Sequence, residues 1–221
     1  MLARAFASLV ALSAIGCADV LGIEQASLDP NLGTAVSLNE SGDAGSEASA
    51  EPQTLCELYC ETVLRACDDD ESGSFAVYDS RFTCEEQCAL MNEGADGDES
   101  GNSVQCRLFH ALIAERSPGE RLTECPAAGP GGDDICGSNC EGYCTLMLAT
   151  CGGTFESQEA CLASCAAVSD LGGYDIGQTA GDSLQCRLYH VGAALASAHH
   201  CEHAAGAYPC STPTPTTDAA G

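Results

Sequence analysis

Two phrases of this chain place cysteine and histidine at i and i+4: Gln105-Cys106-Arg107-Leu108-Phe109-His110 and Gln185-Cys186-Arg187-Leu188-Tyr189-His190. On a helix that spacing sets both side chains on one face, an arrangement suited to zinc. Imidazoles concentrate again at His199, His200 and His203, with Glu202 among them. With His190 these residues offer nitrogen ligands to zinc or copper. The number of cysteines opposes ligation by sulfur. There are seventeen, and sixteen fall into two sets of eight, an even count that disulfides would consume. The alternative reading therefore packs His110 and His190 beside a disulfide, each hydrogen-bonded to a loop carbonyl, with Arg107 and Arg187 paired to nearby carboxylates.

Two further patterns are weaker. Asp96-x-Asp98-x-Ser100-Gly101 matches the first half of a calcium loop, but the twelfth position, where a bidentate Glu belongs, is Arg107. An acidic solvated loop is expected there. Gly181-Asp182-Ser183-Leu184 resembles the signature of GDSL hydrolases, in which the serine is a nucleophile in an α/β fold. No Asp-x-x-His follows it, and the other set carries Gly101-Asn102-Ser103-Val104 in the same slot. A helix cap accounts for the four residues. The sequence also lacks C-x-x-C, C-x-x-C-H, a Gly-rich phosphate loop and G-x-S-x-G. A non-enzymatic protein is the expectation.

The elements that must position these residues are written twice. Cys56, Cys60, Cys67, Cys84, Cys88, Cys106, Cys125 and Cys136 form the first set; Cys140, Cys144, Cys151, Cys161, Cys165, Cys186, Cys201 and Cys210 form the second. Thr54-x-x-Glu57 and Ser138-x-x-Glu141 are capping boxes that open a helix in each set. Cys56, Cys60, Val63 and Cys67 then share one stripe, as do Cys140, Cys144, Met147 and Cys151. Ser80 and Ser157 cap a second helix bearing the next C-x3-C. Asn102 and Asp182 read as caps of a third, with Gln105 and Gln185 at N3 and an apolar face that includes Val104, Leu108, Leu184 and Leu188. The last quarter of each set, rich in Gly and Pro, reads as irregular. The expected fold is all-α, small and disulfide-rich: two tandem repeats of a three-helix module, residues 54–136 and 137–210, each stapled by four disulfides and without one large shared core.

The ends read differently. Residues 1–16 form a secretory signal with a short basic start and an apolar stretch too short to span a bilayer. It runs into Ala14-Ile15-Gly16-Cys17, which resembles the lipobox of bacterial lipoproteins. That resemblance implies cleavage before Cys17 and lipidation of its sulfur, which also accounts for the odd cysteine. Residues 17–53 read as the lipidated N-terminus and a flexible tether, with a reach of about 30 Å, and residues 211–221 as a disordered tail. Net charge is −26, with no lysine, which disfavours nucleic acid and anionic headgroups as partners.

The paired C-x3-C helices resemble the twin C-x3-C hairpins of mitochondrial intermembrane-space proteins. That resemblance implies Cys56–Cys88, Cys60–Cys84, Cys140–Cys165 and Cys144–Cys161. Cys67–Cys106, Cys125–Cys136, Cys151–Cys186 and Cys201–Cys210 complete the scheme, one of about 105 ways to pair each set of eight. The lipobox, the following Leu21-Gly22-Ile23-Glu24-Gln25-Ala26-Ser27-Leu28-Asp29 and the paired C-R-L-[FY]-H phrases resemble cysteine-rich lipoproteins of myxobacteria and related soil bacteria. That family resemblance implies a location, extracytoplasmic and lipid-anchored, in the outer membrane in preference to the inner, and no activity. The expected function is a binding or structural module of the cell envelope with an unidentified envelope partner and no cofactor. Alternatives are zinc or copper binding through the His199–His203 segment and inhibition of secreted proteases.

Overall fold

The computed structural model describes residues 52–67 and 76–212. Among these residues every regular element is helical. The signal, Cys17, most of the tether and residues 213–221 of the tail lie outside the described residues.

Helix α1 (Leu55–Ala66) starts where the sequence says it must. The Thr54 hydroxyl accepts from the Glu57 amide, and the Glu57 carboxylate accepts from the Thr54 amide. Helix α2 (Arg81–Cys88) is capped by Ser80. Helix α3 (Val104–Arg116) begins one residue later than expected, with Ser103 as its cap instead of Asn102. The reason is local: the Ser103 hydroxyl accepts from the Cys106 amide at 3.2 Å, while the Asn102 side chain is engaged by Arg107 and Thr145. After a 3-10 turn at Pro118–Glu120 comes helix α4 (Arg121–Ala128). The second cysteine set follows suit. Helix α5 (Asn139–Thr150) carries the Ser138–Glu141 capping box, α6 (Gln158–Cys165) is capped by Ser157, and α7 (Leu184–Ala193) is capped by Ser183 instead of Asp182. A short helix α8 (His200–Ala204) closes the order. Helices α4 and α8 correct the expectation of an irregular last quarter. Each is brief, eight residues in α4 and five in α8, and each is held by a disulfide and a buried tyrosine.

Eight disulfides use all sixteen cysteines of the two sets. Cys56–Cys88 and Cys60–Cys84 tie α1 to α2, and Cys140–Cys165 and Cys144–Cys161 tie α5 to α6. The remaining four differ from the expected scheme. Cys67 bonds Cys125 and not Cys106; Cys106 bonds Cys136, so Cys125–Cys136 does not form. Likewise Cys151 bonds Cys201 and not Cys186, and Cys186 bonds Cys210, so Cys201–Cys210 does not form. Backbone contacts explain the exchange. The Gly101 amide donates to the Ile135 carbonyl at 3.1 Å, which seats Cys136 at the first turn of α3. The Gly181 amide donates to Pro209 at 2.9 Å and does the same for Cys210 and α7. Cys67 and Cys151 cap the C-termini of α1 and α5, where α4 and α8 present Cys125 and Cys201. In both sets the order of pairing is first to fifth, second to fourth, third to seventh and sixth to eighth.

The expected absence of a shared core is also corrected. The described residues form one compact unit, and buried side chains from both sets merge into one hydrophobic cluster. Small residues let the halves approach. A Cβ at Gly142 on α5 would overlap the Pro130 carbonyl oxygen, and one at Gly192 on α7 would press on the Gln87 amide of α2. The Ile176 amide donates to Ala76 at 2.9 Å across the same boundary.

Candidate functional site

Each C-R-L-[FY]-H phrase occupies the first two turns of a helix, α3 or α7, so its arginine and histidine are fixed by backbone already pinned by a disulfide. Arg107 is completely buried. It donates to the carbonyls of Gly129 (3.0 Å), Ser103 (3.1 Å) and Pro130 (3.2 Å) and to Asn102 Oδ1 (2.9 Å). These are neutral oxygens, so the expected pairing of Arg107 with a carboxylate is corrected. The guanidinium fork satisfies carbonyls at the end of α4 that have no helical partner. Arg187 keeps a carboxylate near, Asp182 at 3.5 Å, while its Nε is buried without a hydrogen-bond partner.

The histidines sit where the disulfide-side reading puts them. His110 Nε2 lies 3.1 Å from the Glu99 carbonyl, and His190 Nε2 lies 3.1 Å from that of Thr179. The ligand atoms of Cys106, His110 and Cys136 cluster within 4.8 Å, as do those of Cys186, His190 and Cys210. In both groups the two sulfurs are bonded to each other, so their lone pairs do not make a thiolate site.

The two halves part at the other ring nitrogen. His110 Nδ1 faces Glu124 Oε2 at 2.6 Å, a carboxylate supplied by α4. His190 Nδ1 faces His200 Nδ1 at 2.8 Å, an imidazole supplied by α8. Glu124 and His200 both directly precede the seventh cysteine of their set, Cys125 and Cys201. That positional match is the signal by which Glu124, missed as a partner of His110, was available in the sequence. The structure also brings together the other two candidate ligands: His203 Nε2 lies 3.2 Å from His199 Nε2. The His190 ring stands 5.0 Å from that of His200 and 4.9 Å from that of His203. Glu202 is exposed on α8. Burial, followed by the neighbouring His200, His203 and His199, pushes His190 below the ordinary histidine range, against the hydrogen bond to Thr179. Burial and the same crowding by His203 and His199 lower His200.

The Asp96–Gly101 segment is a surface turn: Asp98 Oδ2 accepts from the Ala95 amide at 2.8 Å, with Ser103 Oγ at 3.4 Å. Ser183 is a helix cap whose hydroxyl accepts from the Cys186 amide at 3.2 Å. Sequence reading also passed over Tyr59 and Tyr143. Their hydroxyls donate to Ala128 at 2.6 Å and Ala204 at 2.9 Å, tying α4 to α1 and α8 to α5. Gln185, expected as a capping residue, is instead fully buried and donates to Asp170 Oδ1 and the Gly172 carbonyl, both at 2.6 Å.

No protein-family model matches this chain, and no curated protein or solved structure is significantly similar to it. No described helix is long and apolar enough to cross a membrane. The eight disulfides point to an extracellular or otherwise oxidising compartment.

Proposed function

We propose that this chain is a lipid-anchored, extracytoplasmic module of a bacterial cell envelope that binds a partner and does not catalyse a reaction. The cysteine arithmetic carries the reading. Of seventeen cysteines, sixteen are bonded in eight disulfides, and 17 − 16 leaves Cys17, the residue that ends Ala14-Ile15-Gly16-Cys17. A leftover cysteine directly after an apolar leader is what lipidation requires, and two or more acyl chains make attachment firm. The anchored part is a duplicated module, outer-membrane in location. Identical pairing order in the two cysteine sets supports descent from one unit. The outward surface offers Phe82, Leu122 and Leu171 as exposed apolar side chains among acidic ones, and contact with an envelope protein would use such positions.

The decisive experiment is expression of the full chain in a bacterial host, with detergent-phase partitioning and mass measurement of the N-terminal peptide. Cleavage before Cys17 with added acyl mass is expected, and Cys17→Ser should move the protein out of the detergent phase. An unmodified Cys17, or cleavage elsewhere, rejects the anchor.

A further inference from the structure

We propose that the second half of the molecule holds a binding site for a divalent d-block cation built from His190 and His200 through their Nδ1 atoms, completed by His199 and His203. The inference is independent of lipid anchoring. It begins with the exchange of Glu124 for His200. In the first half, one proton between His110 Nδ1 and the Glu124 carboxylate satisfies both groups at 2.6 Å. In the second half, the same position sets nitrogen against nitrogen at 2.8 Å. A carboxylate would have served a purely structural purpose there, as it does in the first half.

The hydrogen bonds dictate the tautomers. His190 Nε2 faces a carbonyl, which only accepts, so Nε2 carries the hydrogen and Nδ1 of the neutral ring carries a lone pair. His200 Nδ1–H then donates to it, and His200 Nε2 is left with a lone pair. A cation at the Nδ1 pair needs only a shift of the His200 proton from Nδ1 to Nε2, with no net loss of protons. The His190 Nε2–H to Thr179 carbonyl bond also matches the usual outer support of a metal-bound imidazole, which fixes its tautomer and orientation.

Spacing fits as well. Tetrahedral ligands at about 2.0–2.1 Å from zinc stand roughly 3.3 Å apart. The two pairs lie at 2.8 Å and 3.2 Å, each within a small ring rotation of that value. The pairs are adjacent: the His190 and His203 rings are 4.9 Å apart, and the His199 and His200 rings are 6.0 Å apart. His199 is exposed, and His203 Nδ1 is buried without a hydrogen-bond partner, an unsatisfied nitrogen beside the pair. Ligation by His203 through Nδ1 relieves a cost that the protein otherwise carries. Four imidazoles select copper(II) or zinc over calcium and magnesium, with copper(II) the tighter.

The test uses the full chain with its disulfides intact, titrated with Cu2+ and with Zn2+ against a chromophoric chelator. Electron paramagnetic resonance of the Cu2+ form reads the nitrogen ligands. The expected result is one Cu2+ per chain with several imidazole nitrogens, and weaker Zn2+ at the same site. His200→Glu rebuilds the pairing of the first half, so it should keep circular dichroism and the disulfide map while weakening Cu2+ binding roughly tenfold or more. The double variant His199→Ala/His203→Ala, at one exposed and one half-buried position, should weaken binding by a comparable factor, and it decides the matter if His200→Glu misfolds. Less than one Cu2+ per chain, or affinity unchanged in a folded variant of both designs, overturns the site and assigns any binding to the acidic surface.

Discussion

Individual residues in this protein are defined by how their last hydrogen bond is met. Tyr59 has one hydroxyl proton and gives it to Ala128, so the 2.9 Å contact with Tyr78 must have Tyr78 as donor. Both rings are buried, and burial pushes Tyr59 well above the ordinary value, with Tyr78 adding to the effect. Burial likewise pushes Tyr78 from 10.0 up to about 12, against the Tyr59 hydrogen bond and the Arg107 charge. A phenol whose folded pKa is raised contributes stability that is fully present below its unfolded value and is lost as pH rises through the folded one. The Tyr78 contribution is therefore intact below pH 10 and disappears toward about 12. The tyrosinate absorbance of the native chain minus that of Tyr78→Phe should rise near the upper value, together with loss of helical dichroism. A difference titration centred at 10.0 with the helices intact would show that the pair is not buried. None of this was readable beforehand, because a tyrosine in sequence does not reveal which carbonyl its hydroxyl will meet. His110 and His190 were readable in part: the duplicated phrase announced a helix face beside a disulfide, and the His199–His203 run offered imidazoles to join His190, but nothing announced the Glu124 carboxylate arriving from α4.

At the scale of elements, the starts were legible and the ends were not. Capping boxes at Thr54 and Ser138 and caps at Ser80 and Ser157 are local, so the spacing of three or four residues contains the whole argument. Ser103 displaced Asn102 by one position because Arg107 and the distant Thr145 engage the Asn102 side chain, and Ser183 displaced Asp182, whose carboxylate lies 3.5 Å from Arg187. Helices α4 and α8 were invisible for a similar reason. Their stability comes from Cys67–Cys125 and Cys151–Cys201, with the tyrosine bonds, and not from their own composition. The bonds differ in what they constrain. Cys67–Cys125 closes a separation of 58 residues and Cys144–Cys161 one of 17. In the chain-entropy account, removing the first costs roughly 4 kcal/mol and removing the second roughly 3 kcal/mol. Urea denaturation of Cys67→Ala/Cys125→Ala and of Cys144→Ala/Cys161→Ala should reproduce that order. The reverse order would mean that native-state contacts, not loop closure, dominate.

At the scale of the whole molecule, the described residues form one unit because the two cysteine-rich halves are shaped to touch. Gly142 lies within α5, where alanine would favour the helix by about 1 kcal/mol. The Pro130 carbonyl occupies the space that a Cβ would need, so Gly142→Ala should destabilise the chain despite that helical gain. A rise in the denaturation midpoint of the variant would show that the halves do not approach so closely. Partial opening should also show as faster amide exchange at the Ile176–Ala76 hydrogen bond, the contact that crosses the same boundary. A small cleft lies at that boundary, lined by Val77, Tyr78, Tyr174 and Ile176.

The sequence alone determined the helical class, the doubling of the cysteine pattern and the first turn of most helices, since each depends on residues within a few positions or on a motif repeated intact; the C-x3-C pairings came only by resemblance to twin C-x3-C hairpins, and the structure bears them out. Only the tertiary structure decided that Cys106 meets Cys136 and Cys186 meets Cys210, that the halves share a core, that Glu124 stands against His110, and that of the three imidazoles near His190 it is His200 that faces its Nδ1. Those outcomes depend on which distant backbone reaches a helix end first, and such meetings are fixed by packing in three dimensions and not by spacing along the chain.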